Sequence, residues 1–169
     1  MDEMSHALQT AVTLEKNGYN LYMLAAKKTK NPLGKSTLEA IAKKELDHIK
    51  AIQEFAKNKT NSAIKMIGPK SKKDLIKPIM AKLKKELDKK ITKESDLENA
   101  YKIAIGLEKS TYAFYMELMA LSKEPKAKDF FGFLMNEEKT HYELLSETLQ
   151  YLNKPGDWYR EQEKWIEEG

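Results

Sequence analysis

Apolar residues recur along this chain mostly at three- and four-residue steps, the period of a helix with one buried face. Over residues 7 to 28 the pattern runs through Leu8, Val12, Tyr19, Tyr22 and Met23, and it stops at Asn31-Pro32. Pro32 suits a first helical position, and Leu38, Ile41, Leu46, Ile49, Ile52 and Phe55 carry a second helix to about residue 57. A polar, lysine-rich passage with Gly68-Pro69 follows, in which Ile76, Met80, Leu83 and Leu87 predict a shorter amphipathic helix. Ser95, Asp96, Leu97 and Glu98 have the form of a capping box and start a third long helix, which reaches about Leu121. Pro125 opens the fourth, through Phe130, Phe131, Leu134, Leu144, Leu145 and Leu149, and Pro155-Gly156 closes it ahead of the tail DWYREQEKWIEEG.

Short breaks make the helices of each pair antiparallel neighbours. The two hairpins are separated by a connection of about 37 residues, which a compact domain accommodates when it holds a helix of its own. The expected fold class is therefore all-α. A bundle occupies residues 1–153, crossover 58–94 included, and residues 154–169 form a tail with a short helix.

The two hairpins repeat each other. LEKNGYNLYM (residues 14–23) and LEKSTYAFYM (107–116) share six of ten residues. Sliding the chain by the same 93 positions also lays Pro32 on Pro125, Glu45 on Glu138 and His48 on His141, without a gap. One offset registers features spread over each hairpin, which marks a duplication. Glu15 lies 17 residues before Pro32, and Glu45 lies 13 after it. At 1.5 Å per residue both glutamates stand roughly 20 Å from the turn, level on neighbouring helices. The same holds for Glu108 and Glu138.

In ELDH (45–48) and EKTH (138–141) the Glu and His are three apart and share one helical face. If the repeated faces turn inward, four carboxylates and two imidazoles meet in mid-bundle. A buried unpaired carboxylate costs several kcal/mol, so this arrangement calls for cations, and two divalent ions match four negative charges. Carboxylate and imidazole ligands suit iron or manganese, with zinc admitted by affinity. Tyr22 and Tyr115, each seven residues after a repeated Glu, are placed to bond a ligand carboxylate or to line the cavity.

Composition narrows the chemistry. The chain has no cysteine, which excludes disulfides, thiol catalysis and cysteine-bound metal centres. Residues 57 to 93 hold thirteen lysines against three acidic residues, so this stretch carries +10 and the remainder −6 of a total of +4. With a single arginine, Arg160, outside it, this stripe reads as a solvated helix face rather than a nucleic-acid surface. No apolar run is long enough for a membrane span and MDEMSHALQT lacks a signal pattern, so the expected location is cytoplasmic. Tyr19 and Tyr112 are expected in packing, Met23 and Met116 in the core, and His6, Asp47 and Glu137 toward solvent. Trp158, Tyr159 and Trp165 are expected to cover the bundle or a partner subunit.

One Glu from each of two helices, with Glu-x-x-His from each of the other two, resembles the ligand set of ferritin-like di-iron or di-manganese carboxylate proteins. The resemblance covers roughly residues 5 to 152 and is nearest the rubrerythrin branch, in a form lacking the rubredoxin domain. It implies a ferritin-like four-helix bundle of two duplicated hairpins joined by the long helix-containing crossover. It implies metal ligands Glu15, Glu45, His48, Glu108, Glu138 and His141, with no catalytic residue separate from them. Glu45 and Glu138 would bridge two metal ions, iron first. Glu15 and Glu108 would be terminal, with one histidine on each metal and Tyr22 and Tyr115 behind the ligands. The implied activity is that of an oxidoreductase acting on hydrogen peroxide or dioxygen, as a peroxidase or ferroxidase. Its expected partners are a separate electron-donor protein and a second copy of the chain, with neither nucleic acid nor membrane. The other reading is an iron-handling, metal-binding bundle without turnover. Rubrerythrin-type peroxidases usually carry a further Glu three residues after the third-helix ligand; this chain has Thr111 there.

Overall fold

Asn31 lies between the first two helices and caps the second. Its side-chain Oδ1 accepts a 3.0 Å hydrogen bond from the Gly34 amide, and Pro32 occupies the first helical position behind that cap. Glu124 has extended backbone (φ −81°, ψ 133°) and is likewise followed by Pro125 at the start of a helix. The computed structural model describes residues 3–58 and 96–154, and both halves are helical hairpins. Helix α1 spans Glu3–Lys28, α2 Pro32–Asn58, α3 Asp96–Leu121 and α4 Pro125–Asn153. Crossover 58–94 (but for Asn58, the last residue of α2), Ser95 of the capping box, the lysine stripe beyond Lys57 and the C-terminal tail beyond residue 154 lie outside the described residues.

The duplication extends to how the helices stop. Thr29 Oγ1 donates to Ala25 O at 2.7 Å, and its counterpart Ser122 Oγ donates to Leu118 O at 2.6 Å. Both hydroxyls bond carbonyls of the last turn, where intrahelical partners run out; Leu118 O also accepts the Ser122 amide at 3.0 Å. Three residues then separate the helices of each pair.

Contacts between the hairpins fix their relative direction. Tyr22 meets Glu108 while Tyr115 meets Glu15, so α1 and α3 run antiparallel. His48 meets Glu138 while His141 meets Glu45, so α2 and α4 do too. Since α1 and α2 are antiparallel, α2 and α3 point the same way. The end of α2 and the start of α3 are thus at opposite ends of a bundle roughly 40 Å long, which is why a long connection is needed. The structure is an all-α four-helix bundle, and no described helix is long and apolar enough to cross a membrane.

The inward seam of α4 is Ala127, Phe131, Leu134, Glu138, His141, Leu145 and Thr148, an unbroken 4-3-4-3-4-3 series. Polar Glu138 and His141 occupy slots that the period reserves for the core. They and their equivalents divide the apolar interior in two. One cluster holds Leu8, Leu14, Ile52, Phe114, Phe131 and Leu134; the other holds Ala25, Leu38, Ile41, Tyr101, Leu107 and Leu145. Several apolar positions therefore fall off the seam. Met116 is 45% exposed, against the expected core placement, and Met23 is half-buried against the second cluster, because Tyr115 and Tyr22 take the inward slots and the next residue turns about 100° away. Leu46 and Leu144 face outward for the same reason, beside Glu45 and next to Leu145. His6 and Asp47 are exposed, as expected, and Tyr19 and Tyr112 are partly buried.

Candidate metal centre

Each of the four helices contributes an ionisable side chain to the level between the two apolar clusters. Glu15 comes from α1, Glu45 and His48 from α2, Glu108 from α3, and Glu138 and His141 from α4. None of the six is more than 4% exposed. The helical period places them there for the reason it places Leu134 and Leu145: they are on the seam.

They form two overlapping quartets. Glu15, Glu45, His48 and Glu138 bring one donor atom each within 4.8 Å of one another, and so do Glu45, Glu108, Glu138 and His141. Glu45 and Glu138 belong to both. Both imidazoles face inward through Nδ1. His48 Nδ1 lies 3.3 Å from Glu15 Oε2 and 3.3 Å from Glu138 Oε1, and His141 Nδ1 lies 3.2 Å from Glu45 Oε1. The rings stack with centroids 5.3 Å apart and planes 15° from parallel.

Electrostatics explains what such a cage requires. Burial, then the neighbouring carboxylates, pushes the Glu45 carboxyl well above its ordinary range, and Glu138 is pushed up the same way. Burial also acts to raise Glu15, but hydrogen bonds with Glu45, His48 and Tyr115 outweigh it and hold Glu15 below the ordinary value. For His48, burial works against the charged ring, yet contact with Glu15 and then Glu137 raises its pKa. Glu15, Glu45 and Glu138 thus adjust to one another, and protons are held where cations could stand.

Tyr22 and Tyr115 cross between hairpins. The Tyr22 hydroxyl donates to Glu108, and the Tyr115 hydroxyl donates to Glu15. Burial first, and then the nearby carboxylates, push both phenols well above 10, so they stay protonated donors. The sequence period put each tyrosine on the face of its own hairpin's Glu; the structure hands it to the Glu of the other copy. Tyr22→Phe is expected to cost about 1–3 kcal/mol of stability in the metal-free protein, because a buried carboxylate oxygen loses its donor. Urea denaturation measures it. An unchanged midpoint would show that Glu108 does not depend on this bond.

Glu137 departs from expectation. Its side chain is 31% exposed, and its Oε2 lies 3.6 Å from His48 Nε2 rather than out in solvent. The 100° turn from Glu138 carries it over the seam between α2 and α4, where His48 arrives from the facing helix. Only the cross-bundle pairing reveals this, so helix period alone missed it.

The residues fit a pair of metal ions. Glu45 Oε1, Glu138 Oε1 and His141 Nδ1 are buried lone-pair donors without a hydrogen-bond partner, and His48 Nε2 is also unpartnered. Orphaned atoms in a dry interior are costly, and cations would satisfy those that face the cage. All donors are oxygen or imidazole nitrogen, a set suited to iron, manganese or zinc.

Comparison with known proteins adds a family match. The sequence profile of the family described as Rubrerythrin covers residues 6–149. No curated protein and no solved structure matches the chain.

Proposed function

Since the chain belongs to the rubrerythrin family, we propose that it is a non-haem di-metal oxidoreductase, with iron as the metal and dioxygen or hydrogen peroxide as oxidant. The observation that carries the reading is the sharing of Glu45 and Glu138 between two complete quartets. Two positions with two common carboxylates would hold a pair of ions near enough to act on one small molecule. Two ferrous ions supply two electrons, the number that takes hydrogen peroxide and two protons to two waters.

The chain's own residues do the rest. Glu45 and Glu138 would serve both ions, Glu15 and Glu108 would serve one each, and one imidazole would complete each set. Four carboxylates compensate four positive charges, and the apolar clusters on either side keep bulk water from the centre. Tyr22 and Tyr115 hold Glu108 and Glu15 in place by hydrogen bonds.

Thr111 bears on the choice of oxidant. It is 5% exposed, and its hydroxyl is engaged with Leu107 O at 3.2 Å. No carboxylate stands at that position to exchange on and off a metal, which favours ferrous-ion oxidation by dioxygen over the peroxidase cycle. In a peroxidase cycle a separate electron-donor protein would return the reducing equivalents, since these 169 residues hold no cysteine for a thiolate-bound electron carrier.

Anaerobic protein loaded with two equivalents of ferrous ion, then mixed with oxygen or with peroxide, is expected to oxidise iron faster than buffer does. Stopped-flow absorbance measures both reactions. A rate no greater than that of free ferrous ion with either oxidant overturns the proposal and leaves a binding bundle without turnover.

A further inference from the structure

The duplication makes the six cage side chains match pairwise, but it does not do so for what stands behind the histidines. The residue 93 positions before Glu137 is Lys44, which is exposed. A carboxylate therefore stands at one of the two related positions and an ammonium at the other.

Ring chemistry gives this difference a consequence. His48 turns Nδ1 toward Glu15 and Glu138. A neutral imidazole has one lone pair, so a ring that lends Nδ1 to a metal carries its proton on Nε2. The carboxylate nearest that nitrogen is Glu137, whose Oε2 lies 3.6 Å from Nε2, just beyond hydrogen-bond distance, and Nε2 is buried without a hydrogen-bond partner. A carboxylate behind a ligating imidazole fixes its tautomer and raises its basicity toward the metal. Lysine has no acceptor, so Lys44 cannot act in this way toward His141.

Glu137 also groups with both imidazoles within 4.8 Å, as a third cluster at the edge of the cage. In a loaded centre it is not a third metal site. Each ring has already lent its Nδ1, and a further ion would require loss of the Nε2 proton.

We propose that Glu137 is a positioning residue that makes the two metal positions unequal, the Glu15–His48 position binding more tightly than the Glu108–His141 position. This rests on the two-metal reading above. The asymmetry lies outside the symmetric ligand set: identical ligands receive different support from behind.

Co(II) titration by calorimetry separates the positions when each is studied alone. Glu108→Gln leaves the Glu15–His48 position, and Glu15→Gln leaves the other. Adding Glu137→Ala is expected to weaken Co(II) binding about tenfold in the first background and little in the second. Glu137→Gln, which keeps an acceptor without the charge, should recover part of the loss. A second readout is independent of affinity. In the Co(II)-loaded protein, proton NMR should show the His48 N–H exchanging with water more slowly than that of His141, and Glu137→Ala should remove the difference. Lys44→Glu should slow the His141 N–H in turn. Equal loss in both backgrounds, or N–H exchange rates that Glu137→Ala leaves unchanged, overturns the proposal. Failure of the unmutated protein to bind Co(II) at all would instead remove the two-metal reading and this inference with it.

Discussion

Replacing Glu138 by glutamine is expected to raise the melting temperature of the metal-free protein while abolishing the stabilisation that metals confer. Two opposite effects come from one carboxyl. Glu138 is 1% exposed, and burial, then Glu108 and Glu15, raise its pKa well above the ordinary range. In the unfolded chain it ionises normally at neutral pH. Folding without a cation must therefore either protonate it or bury its charge, and both cost free energy. Glutamine has nearly the same shape and no charge, so that cost disappears. Replacements of buried charges by neutral groups gain about 1–4 kcal/mol in favourable cases. For a chain of this size that is roughly 2–16 °C in Tm.

The loss on the metal side is larger. Glu138 belongs to both quartets, so its substitution damages both positions, whereas Glu108→Gln damages one. A ligand that binds only the folded state stabilises by about 2.7 kcal/mol at a hundredfold excess over Kd, and two positions contribute twice. Glu138→Gln should forfeit nearly all of this, and Glu108→Gln about half. Calorimetric melts with and without Co(II), together with metal content by elemental analysis, measure all of it. Equal metal loss in the two variants would mean that Glu138 is not shared.

What the sequence discloses, and what it does not, divides along a physical line. Helix ends were legible because Asn31-Pro32 and Pro125 act locally, through caps and a fixed backbone angle. The level of the glutamates was legible because rise per residue is constant. The 93-residue offset told which side chains are related, so the six cage residues could be named before their contacts were known. Contacts between hairpins were not legible. Period gives the face of Tyr22, but only the antiparallel pairing of α1 and α3 hands its hydroxyl to Glu108. Glu137 is one step off the seam, which alone reads as solvent; it became part of the site because His48 approaches from α2. Met116, Leu46 and Leu144 misled for the converse reason. Hydrophobic residues beside the seam look periodic when the seam itself carries glutamate, histidine and tyrosine.

The second large effect is a reversal of pH dependence on metal binding. Consider the metal-free protein first. Glu45 and Glu138 have raised pKa values in the fold, so above the ordinary carboxylate value of 4.5 the native state binds more protons than the unfolded state. Stability then falls as pH rises, by up to about 1.4 kcal/mol per pH unit for each such group, until the raised values are passed. His48, also raised, acts in the same direction: its contribution is complete below 6.5 and is lost as pH climbs through its folded value. Glu15 is lowered, so its contribution is present above 4.5 and is lost only on acidification below that value. Between pH 5 and 8 the metal-free protein should therefore melt at progressively lower temperature. Metal ions replace the held protons, and their binding tightens as pH rises because the ligands must be deprotonated. The loaded protein should accordingly hold or gain melting temperature over the same interval. Calorimetric titration with Co(II) in buffers of differing ionisation enthalpy counts the protons released. Release of none at pH 6, with parallel melting profiles for the two forms, would mean that the cage carboxyls are already ionised and that burial does not govern them.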